Sequence, residues 1–319
     1  MEQKLYYAYS EYLKDTYGEK VYKLPINLPI TCPNRQNQKG GCSFCAEVGT
    51  GFEARSNVLT VTQQLTQNCV HIEKKYHAHK FIAYFQNYTN TWMSIEDFRT
   101  YIHEAAIFPE LVEISISTRP DCIKKEYLDI LKDIKEVYGL NITIELGLQT
   151  VNYHTLSKIN RGHGLAAFIA AVGLISNYDF RICTHIILNL PYDTMMDVKE
   201  TVDIVSALPI NIVKLHSLYI PRNTKLSYDY EHGTISICSS EEYLERLVYF
   251  IEHLRPDIAV ERLFSRIPKE DSIFSNWGKS WWALMDEWQK TMRQRNSYQG
   301  KYYVPANETA FIDAGEIGW

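Results

Sequence analysis

Three cysteines stand close together near the start of the chain, in the stretch TCPNRQNQKGGCSFCA that covers Thr31 to Ala46. The spacing C-x9-C-x2-C places Cys32, Cys42 and Cys45 in a segment whose proline and two glycines disfavour helix and strand. Thiolate sulfur prefers zinc or an iron-sulfur cluster to hard cations. The sequence therefore predicts a soft-metal centre around which the rest of the chain must fold.

The missing fourth ligand separates the two metals. A structural zinc site is closed by a fourth cysteine or histidine, whereas a cluster held by three cysteines leaves one iron open to another ligand. The four remaining cysteines lie singly, inside or beside apolar runs: Cys69, Cys122, Cys183 and Cys238. On spacing alone, a zinc knuckle or a reduced thiol cluster stays an alternative.

The bulk sequence excludes several classes of protein. A net charge of -5 over 319 residues excludes a strongly basic nucleic-acid-coating protein, although it permits a local basic face. The opening segment is charged and lacks the apolar core of a signal peptide, and no run of 18 apolar residues occurs. The odd number of cysteines, 7, suits a reducing compartment. We expect a cytoplasmic protein with no membrane partner.

Alternating strand and helix patterns predict an α/β fold. An opening helix is expected within residues 1–20, and the strands expected after it are Val21–Ile26, Phe81–Phe85, Val112–Ser117, Ile142–Leu148, Arg181–Leu188 and Ile212–Leu218. The helices expected between them are Thr62–Tyr76, Ile95–Ile107, Lys124–Tyr138, Leu165–Ser176 and Met195–Ala207. Segments such as VEISIS and ICTHIIL look apolar on both faces, as in buried parallel strands. Either an open doubly wound sheet or a partial barrel satisfies this pattern.

The sequence also predicts two helix N-termini and the point at which the alternation of strands and helices ends. Ser94 with Asp97, and Ser239 with Glu242, have the spacing of N-terminal caps. Beyond Pro256 the alternation ends, which predicts an extension over residues 256–319 packed on the core, with a Trp-rich helix over Asn276–Arg295.

The cysteine loop, with Phe44 just before its last cysteine, resembles the radical S-adenosylmethionine (SAM) superfamily. Its wide first gap is similar to the branch that holds the elongator catalytic subunit and the YhcC/YtqA-type proteins. The motifs NRQNQKGGCSFC, YFQNYTNT, STRPD, ELGLQT and NRGH are most similar to the YtqA subgroup, also called MnmL. The resemblance implies a partial (β/α)6 TIM-like barrel over residues 21–255, with the cysteine loop at its open top. It also implies a 4Fe-4S cluster on the three cysteines, SAM on the open iron, and an electron donor such as flavodoxin or ferredoxin.

The resemblance further implies which residues contact the cofactor. Gln86 and Asn87 stand where relatives bind the methionyl amino group, and Arg161 of NRGH stands where they bind the methionyl carboxylate. A guanidinium fork suits a carboxylate, and amide or carboxylate groups suit ribose hydroxyls. Because an unpaired buried carboxylate is costly, Glu145 is expected to be paired or to bind ligand. The predicted cofactor-binding residues are Phe44, Gln86, Asn87, Ser117, Glu145, Gln149, Arg161 and His185.

The resemblance also implies a substrate, which composition and spacing do not name. It is a tRNA wobble uridine, whose 5-carboxymethylaminomethyl-2-thiouridine would lose its carboxymethyl group to give the 5-aminomethyl form. Arg119 or Arg222 would then hold the substrate carboxylate. A radical enzyme acting on a metabolite or protein and a non-enzymatic, metal-stabilised RNA-binding protein are the alternatives. The basic, aromatic tail over Trp288–Asn307 suits either RNA contact or a solvated helix.

Overall fold

The structure is a computed structural model that describes residues 4–38, 40–46, 54–266 and 269–305. The start of the predicted opening helix and the end of the predicted extension, residues 1–3 and 306–319, lie outside the described residues.

A sheet of parallel strands forms the centre of the molecule. In their order across the sheet the strands are β1 (Val21–Ile26), β2 (Lys80–Phe85), β3 (Leu111–Thr118), β4 (Asn141–Gln149), β5 (Arg181–Ile187), β6 (Ile212–His216) and β8 (Ala259–Arg262). Two short strands, β7 (Tyr219–Pro221) and β9 (Ser272–Ser275), pair antiparallel in a second sheet. The six predicted strands are confirmed, and β8 is a seventh strand that the periodicity did not predict.

Helices surround this sheet on its outer face and at its two ends. They are α1 (Tyr9–Tyr17), α2 (Val61–Tyr76), α3 (Ile95–Ala106), α4 (Lys125–Tyr138), α5 (Tyr153–Lys158), α6 (Leu165–Ile175), α7 (Met195–Ala207), α8 (Lys225–Glu231), α9 (Ser240–His253) and α10 (Trp281–Gln294). Both predicted caps are confirmed, since Ser94 and Ser239 accept N–H hydrogen bonds at 3.0 and 3.1 Å from the third residue of their helices.

The Trp-rich helix begins later than predicted. It was expected from Asn276, but Asn276 and Trp277 have φ angles of 49° and 53°, which lie in the left-handed region and do not continue a right-handed helix. Ser280 caps the helix instead, by accepting a hydrogen bond from Ala283 N at 3.3 Å. The expected element is therefore a turn followed by α10.

The main sheet curls into a partial barrel. In a flat sheet, β1 and β8 would lie about 29 Å apart, six spacings of roughly 4.8 Å. Lys23 Nζ on β1 nevertheless lies 2.7 Å from Glu261 Oε2 on β8. An ion pair across that span requires the two edge strands to face each other across a lumen, which confirms the barrel and excludes the open doubly wound sheet.

The inner face of the barrel is polar, so the expectation that the strands are apolar on both faces is wrong. On β3, Ile114 and Ile116 pack into the core shared with the helices. Ser115 alternates with them, faces the lumen, and donates a hydrogen bond to Glu145 of the adjacent strand β4 at 2.7 Å. Both faces are buried: the outer face is apolar, whereas the lumen holds hydrogen-bonding and charged groups above a small apolar cluster at its lower end.

The amino-terminal segment closes the bottom of the barrel. Tyr9 and Leu13 of α1 pack against lumen-facing Ile82 and Cys183 near the starts of their strands. The Tyr7 carbonyl accepts a hydrogen bond from Val260 N at 2.8 Å, so this segment runs beside the edge strand β8. The lumen is thereby plugged at one end and open at the end where the strands finish.

The segment after Pro256 contributes a strand to the barrel and a helix that packs against it. Its β8 joins the sheet, and Trp288 of α10 is fully buried. Arg295 pairs with Glu245 of α9, with 2.7 Å between Nη1 and Oε2. The domain boundary itself and an RNA-binding role for the tail stay predictions. No helix in the described ranges has both the length and the apolar character needed to span a bilayer.

Candidate metal centre and adjoining cavities

The cysteine loop follows β1 and lies at the open end of the barrel. Cys32 precedes a 3-10 helix over Pro33–Gln38, and the Cys45 N–H donates to the Cys42 carbonyl at 3.0 Å. Gly41, just before Cys42, has a φ of 82° that a side chain would strain. All three cysteines border one cavity of about 120 Å³. The loop therefore brings the three predicted metal ligands to a common space.

Each cysteine sulfur also faces an arginine. The distances are 3.2 Å from Arg35 Nη2 to Cys45 Sγ, 3.5 Å from Arg161 Nη1 to Cys42 Sγ, and 3.9 Å from Arg119 Nη1 to Cys32 Sγ. Burial raises the pKa of the Cys45 thiol, and the guanidinium of Arg35 opposes that rise. Guanidinium groups favour the thiolate form, which is the form that binds metal.

The donor set fits a cluster held by three cysteines. No fourth cysteine borders this cavity among the described residues, and its one histidine there, His185, is held by Glu145 with 2.7 Å between Nε2 and Oε2. A closed tetrahedral zinc site needs a fourth protein ligand. Three sulfurs with open space beside them suit an iron-sulfur cluster with one iron left for a non-protein ligand.

Most of the predicted cofactor-binding residues line the same cavity. Those that do are Phe44, Gln86, Ser117, Glu145, Gln149, Arg161 and His185. Asn87 is buried next to Gln86 but is not part of the lining. The barrel topology explains this gathering, because the carboxyl ends of parallel strands meet at one mouth.

Arg161 is held against the end of β4 in a way that depends on a glycine. Its Nη2 donates to the Gly147 carbonyl at 2.7 Å, and a Cβ added at Gly147 would lie 2.5 Å from that nitrogen. The buried Nε of Arg161 has no hydrogen-bond partner in the part of the chain that the structure describes. Arg161 therefore lines the cavity with a guanidinium group that keeps one N–H without a protein partner.

Two protein-family patterns match this chain. The pattern of the Radical SAM superfamily matches residues 27–205, and that of the Radical_SAM C-terminal domain matches residues 210–294. The chain belongs to the radical SAM superfamily. Radical SAM proteins use a 4Fe-4S cluster and SAM, so the predicted family and cofactors are both confirmed.

Two full-length relatives support the predicted branch of the radical SAM superfamily. The chain is 31% identical over 312 residues to "Uncharacterized protein YtqA" of Bacillus subtilis, covering 97% of this chain and 96% of the relative. It is 28% identical over 311 residues to "Protein YhcC" of Escherichia coli, covering 96% and 99%. The solved structure of archaeal Methanocaldococcus infernus Elp3 aligns with a TM-score of 0.67 at 17% identity, over 88% of this chain and 64% of that one. The structural match confirms the radical SAM partial barrel.

Glu145, which lines the cavity beside the cysteines, lies at the centre of a buried ionic network. Its Oε1 accepts hydrogen bonds from Lys23 at 2.6 Å and Ser115 at 2.7 Å, and its Oε2 lies 2.7 Å from His185 Nε2 and 3.5 Å from Lys214 Nζ. Burial opposes its ionisation, but the two lysines outweigh burial and hold the pKa of Glu145 well below its usual range. Of the two roles predicted for Glu145, the structure shows the paired one.

The two arginines predicted to hold a substrate carboxylate are already engaged. Arg119 borders the cavity, but its Nε and Nη2 donate to both carboxylate oxygens of Asp121 at 2.9 and 2.8 Å. Arg222 is exposed, donates to the Glu270 carbonyl at 3.0 Å, and does not line the cavity beside the cysteines. Both guanidinium groups are therefore already bound to protein oxygens.

A second cavity of about 90 Å³ adjoins the first. The two share Phe44, Tyr84, Gln86, Gln149 and His185 as lining residues. The second cavity is also lined by residues from β6 and β8 and from the loops after them, among which are Lys214, His216, Arg262 and Arg266.

Sequence reasoning missed these four residues. Arg262 and Arg266 lie beyond Pro256, where no further strand was predicted, because the short β8 was not identified. A charged pair, Glu261–Arg262, directly after the apolar Ala259–Val260 was the available signal. It marks a barrel strand that turns its polar end toward the mouth.

Proposed function

We propose that this radical SAM enzyme removes the carboxymethyl group from 5-carboxymethylaminomethyl-2-thiouridine at the tRNA wobble position. The product would be 5-aminomethyl-2-thiouridine. One observation carries the proposal: the cavity bordered by the three cysteines continues into a second cavity with a cationic wall. That arrangement gives a cofactor and an acidic substituent adjoining places at one barrel mouth. The substrate is the one that the sequence resemblance to the YtqA subgroup implies.

In this proposal Cys32, Cys42 and Cys45 hold the cluster through their thiolates. The spare Nε of Arg161 binds the methionyl carboxylate of SAM, while Gln149 offers its amide to the ribose hydroxyls. When bound, the reduced cluster and SAM would supply the removal of a hydrogen atom from the carboxymethyl carbon. Transfer of a second electron from the resulting radical to an iron-sulfur acceptor would leave an iminium, and one water molecule would cleave its C–N bond to give the 5-aminomethyl base and glyoxylate. The remaining work of the protein is to hold the substrate in position and to keep bulk water away from the radical.

Side chains of the two cavities suit those tasks. Phe44, Ile187 and Leu218 provide apolar surface in the wall of the second cavity. The wobble base must leave the anticodon stack to enter, and unstacking costs about a few kcal/mol. The mouth carries Lys158, exposed and 4.5 Å from the ring centre of Tyr192, which suits contact with phosphate and base. A low-potential electron donor such as flavodoxin or ferredoxin is the partner that the reduction requires.

Anaerobic reconstitution with iron and sulfide tests the proposal. We expect 5'-deoxyadenosine to form only with dithionite and SAM, and an anticodon stem-loop bearing the carboxymethylaminomethyl group to become the aminomethyl form by mass spectrometry. Cys42→Ala should abolish both products, whereas Cys69→Ala, on α2 and outside both cavities, should retain them.

Two results separate the alternatives. Formation of 5'-deoxyadenosine without conversion of the stem-loop, together with normal wobble nucleosides in a deletion strain, would assign the radical chemistry to a metabolite or protein. RNA binding that survives Cys42→Ala without any cofactor cleavage would favour the metal-stabilised RNA-binding protein.

A further inference from the structure

The second cavity has a charge imbalance that the ionic network does not remove. Lys214 in its wall is matched by acids, with 2.9 Å to Glu261 and 3.5 Å to Glu145. Lys23 is matched by the same two acids, at 2.7 and 2.6 Å. Two lysines and two glutamates therefore balance, and both acids are already committed.

Arg262 is not part of this group of two lysines and two glutamates, and no acid among the described residues neutralises its charge. Its side chain lines the cavity, yet within the described ranges it makes no hydrogen bond and no ion pair. Arg266, its neighbour in the wall, stacks over the ring of Trp281 with 4.1 Å from Cζ to the ring centre. Burying part of a guanidinium group without a counter-ion costs free energy. An anionic ligand that pairs with the guanidinium offsets this cost.

The neighbours of Arg262 show that its charge acts inside the cavity. Burial, with His185 and Arg262 adding to it, holds the pKa of His216 well below its usual range. His216 is therefore neutral at pH 7, and it stacks on His185 with 5.4 Å between ring centres. The histidines provide neutral hydrogen-bonding groups, and the net positive charge of the wall comes from arginine.

We propose that Arg262 binds an anionic group of the substrate, a carboxylate held by the two-pronged guanidinium. The proposal rests on the proposed function in that the second cavity receives the substrate. Unlike Arg119 and Arg222, which already bind protein oxygens, Arg262 lines the second cavity and its side chain has no protein partner in the described ranges. A carboxylate on a short stem fits a cavity of about 90 Å³. A phosphate would use the same oxyanion chemistry, and the experiment separates the two sources.

The test compares two anticodon stem-loops on the anaerobic holoenzyme. One carries the carboxymethylaminomethyl group, and the other carries its neutral amide. We expect the wild type to prefer the acid by roughly 10–100-fold in Kd and in kcat/KM, the range of a charge-assisted hydrogen bond. Arg262→Gln should abolish the preference, and Arg262→Lys, which keeps the charge but not the fork, should retain part of it.

Two controls separate loss of recognition from loss of the site. Arg99→Gln, at an exposed position on α3, should keep the full preference. SAM binding and the iron content should be equal in all variants. An acid preference that persists in Arg262→Gln would overturn the proposal.

Small probes keep the anion site testable if the tRNA proposal fails. Binding of N-methylglycine and of methyl phosphate to the holoenzyme is measured by saturation-transfer NMR. Loss of N-methylglycine binding in Arg262→Gln but not in Arg99→Gln supports the carboxylate site whatever RNA is bound. Loss of methyl phosphate binding alone would assign the same oxyanion site to a phosphate. Equal binding of both probes by the wild type and Arg262→Gln would contradict the proposal.

Discussion

Gly147 controls the position of Arg161 because it has no side chain. A Cβ there would lie 2.5 Å from Arg161 Nη2 and 3.0 Å from Gln149 Nε2. Gly147→Ala should displace both polar groups and weaken SAM binding by roughly tenfold or more, the value of one charge-assisted hydrogen bond. Equilibrium binding of SAM to the reconstituted protein measures the effect.

Gly173 provides the matched control for Gly147. It lies inside α6 with no atom within 4 Å of an added Cβ, so Gly173→Ala should leave SAM binding unchanged. The same change should raise stability by about 0.5–1 kcal/mol through helix propensity. Unchanged SAM affinity in Gly147→Ala would show that Arg161 does not hold the cofactor.

Replacing Asp193 with asparagine should stabilise the protein by an amount that depends on pH. Burial raises the pKa of Asp193 to about 6, and its Oδ1 has no hydrogen-bond partner within the described part of the chain. A folded-state pKa above the unfolded value means that stability is lost as pH rises from about 4 to about 6. Asp193→Asn should therefore stabilise the protein by about 2 kcal/mol at pH 7.5, with a smaller gain at pH 5.

Urea denaturation of Asp193→Asn and the wild type at the two pH values measures this difference. Asp257→Asn, whose parent carboxylate is exposed and pairs with Arg255 at 2.6 Å, should show no comparable gain. A gain for Asp193→Asn that is equal at pH 5 and pH 7.5 would mean that the carboxyl group ionises normally in the folded protein.

At the scale of elements, β8 supplies the second of the two carboxylates that neutralise the lysines in the barrel lumen. Glu261 is its contribution, and it pairs with Lys23 and Lys214 across the lumen. Glu261→Gln leaves two buried ammonium groups to share one carboxylate, which should destabilise the protein by about 3 kcal/mol. Urea unfolding, followed by circular dichroism, checks this value.

The exposed pair of Glu245 with Arg295 is the control for the buried network. Glu245→Gln should cost less than about 1 kcal/mol, because exposed ion pairs contribute little. A similar small cost for Glu261→Gln would mean that the lumen network is solvated and does not hold β8 in place.

The elements differ in how far their sequence predicts them. Six strands and five of the helices between and after them follow from apolar periodicity, because each buries one apolar face against its neighbours. β8 has four residues, too few for a period, and its ladder to β6 makes it a strand. The polar inner face of β3 also escaped notice, since serines between isoleucines resemble a uniformly buried strand.

At the scale of the molecule, the candidate site is less predictable than the fold. The three cysteines and seven lining residues follow from motifs that occupy strand ends. The pairing of Arg119 with Asp121 and the position of Arg262 depend on side-chain partners that only the folded barrel brings together. Spacing in sequence identifies which residues reach the mouth, while the charge balance inside it requires the structure.

The central claim is that the cluster on the three cysteines has one open iron that binds SAM. Electron paramagnetic resonance tests this binding most directly. The protein is reconstituted and reduced anaerobically, and its spectrum is recorded with and without SAM. We predict about four irons and four sulfides per chain, and a change in the g values of the reduced cluster when SAM is added. Stoichiometric zinc, or a reduced-cluster spectrum that SAM leaves unchanged, would contradict the account.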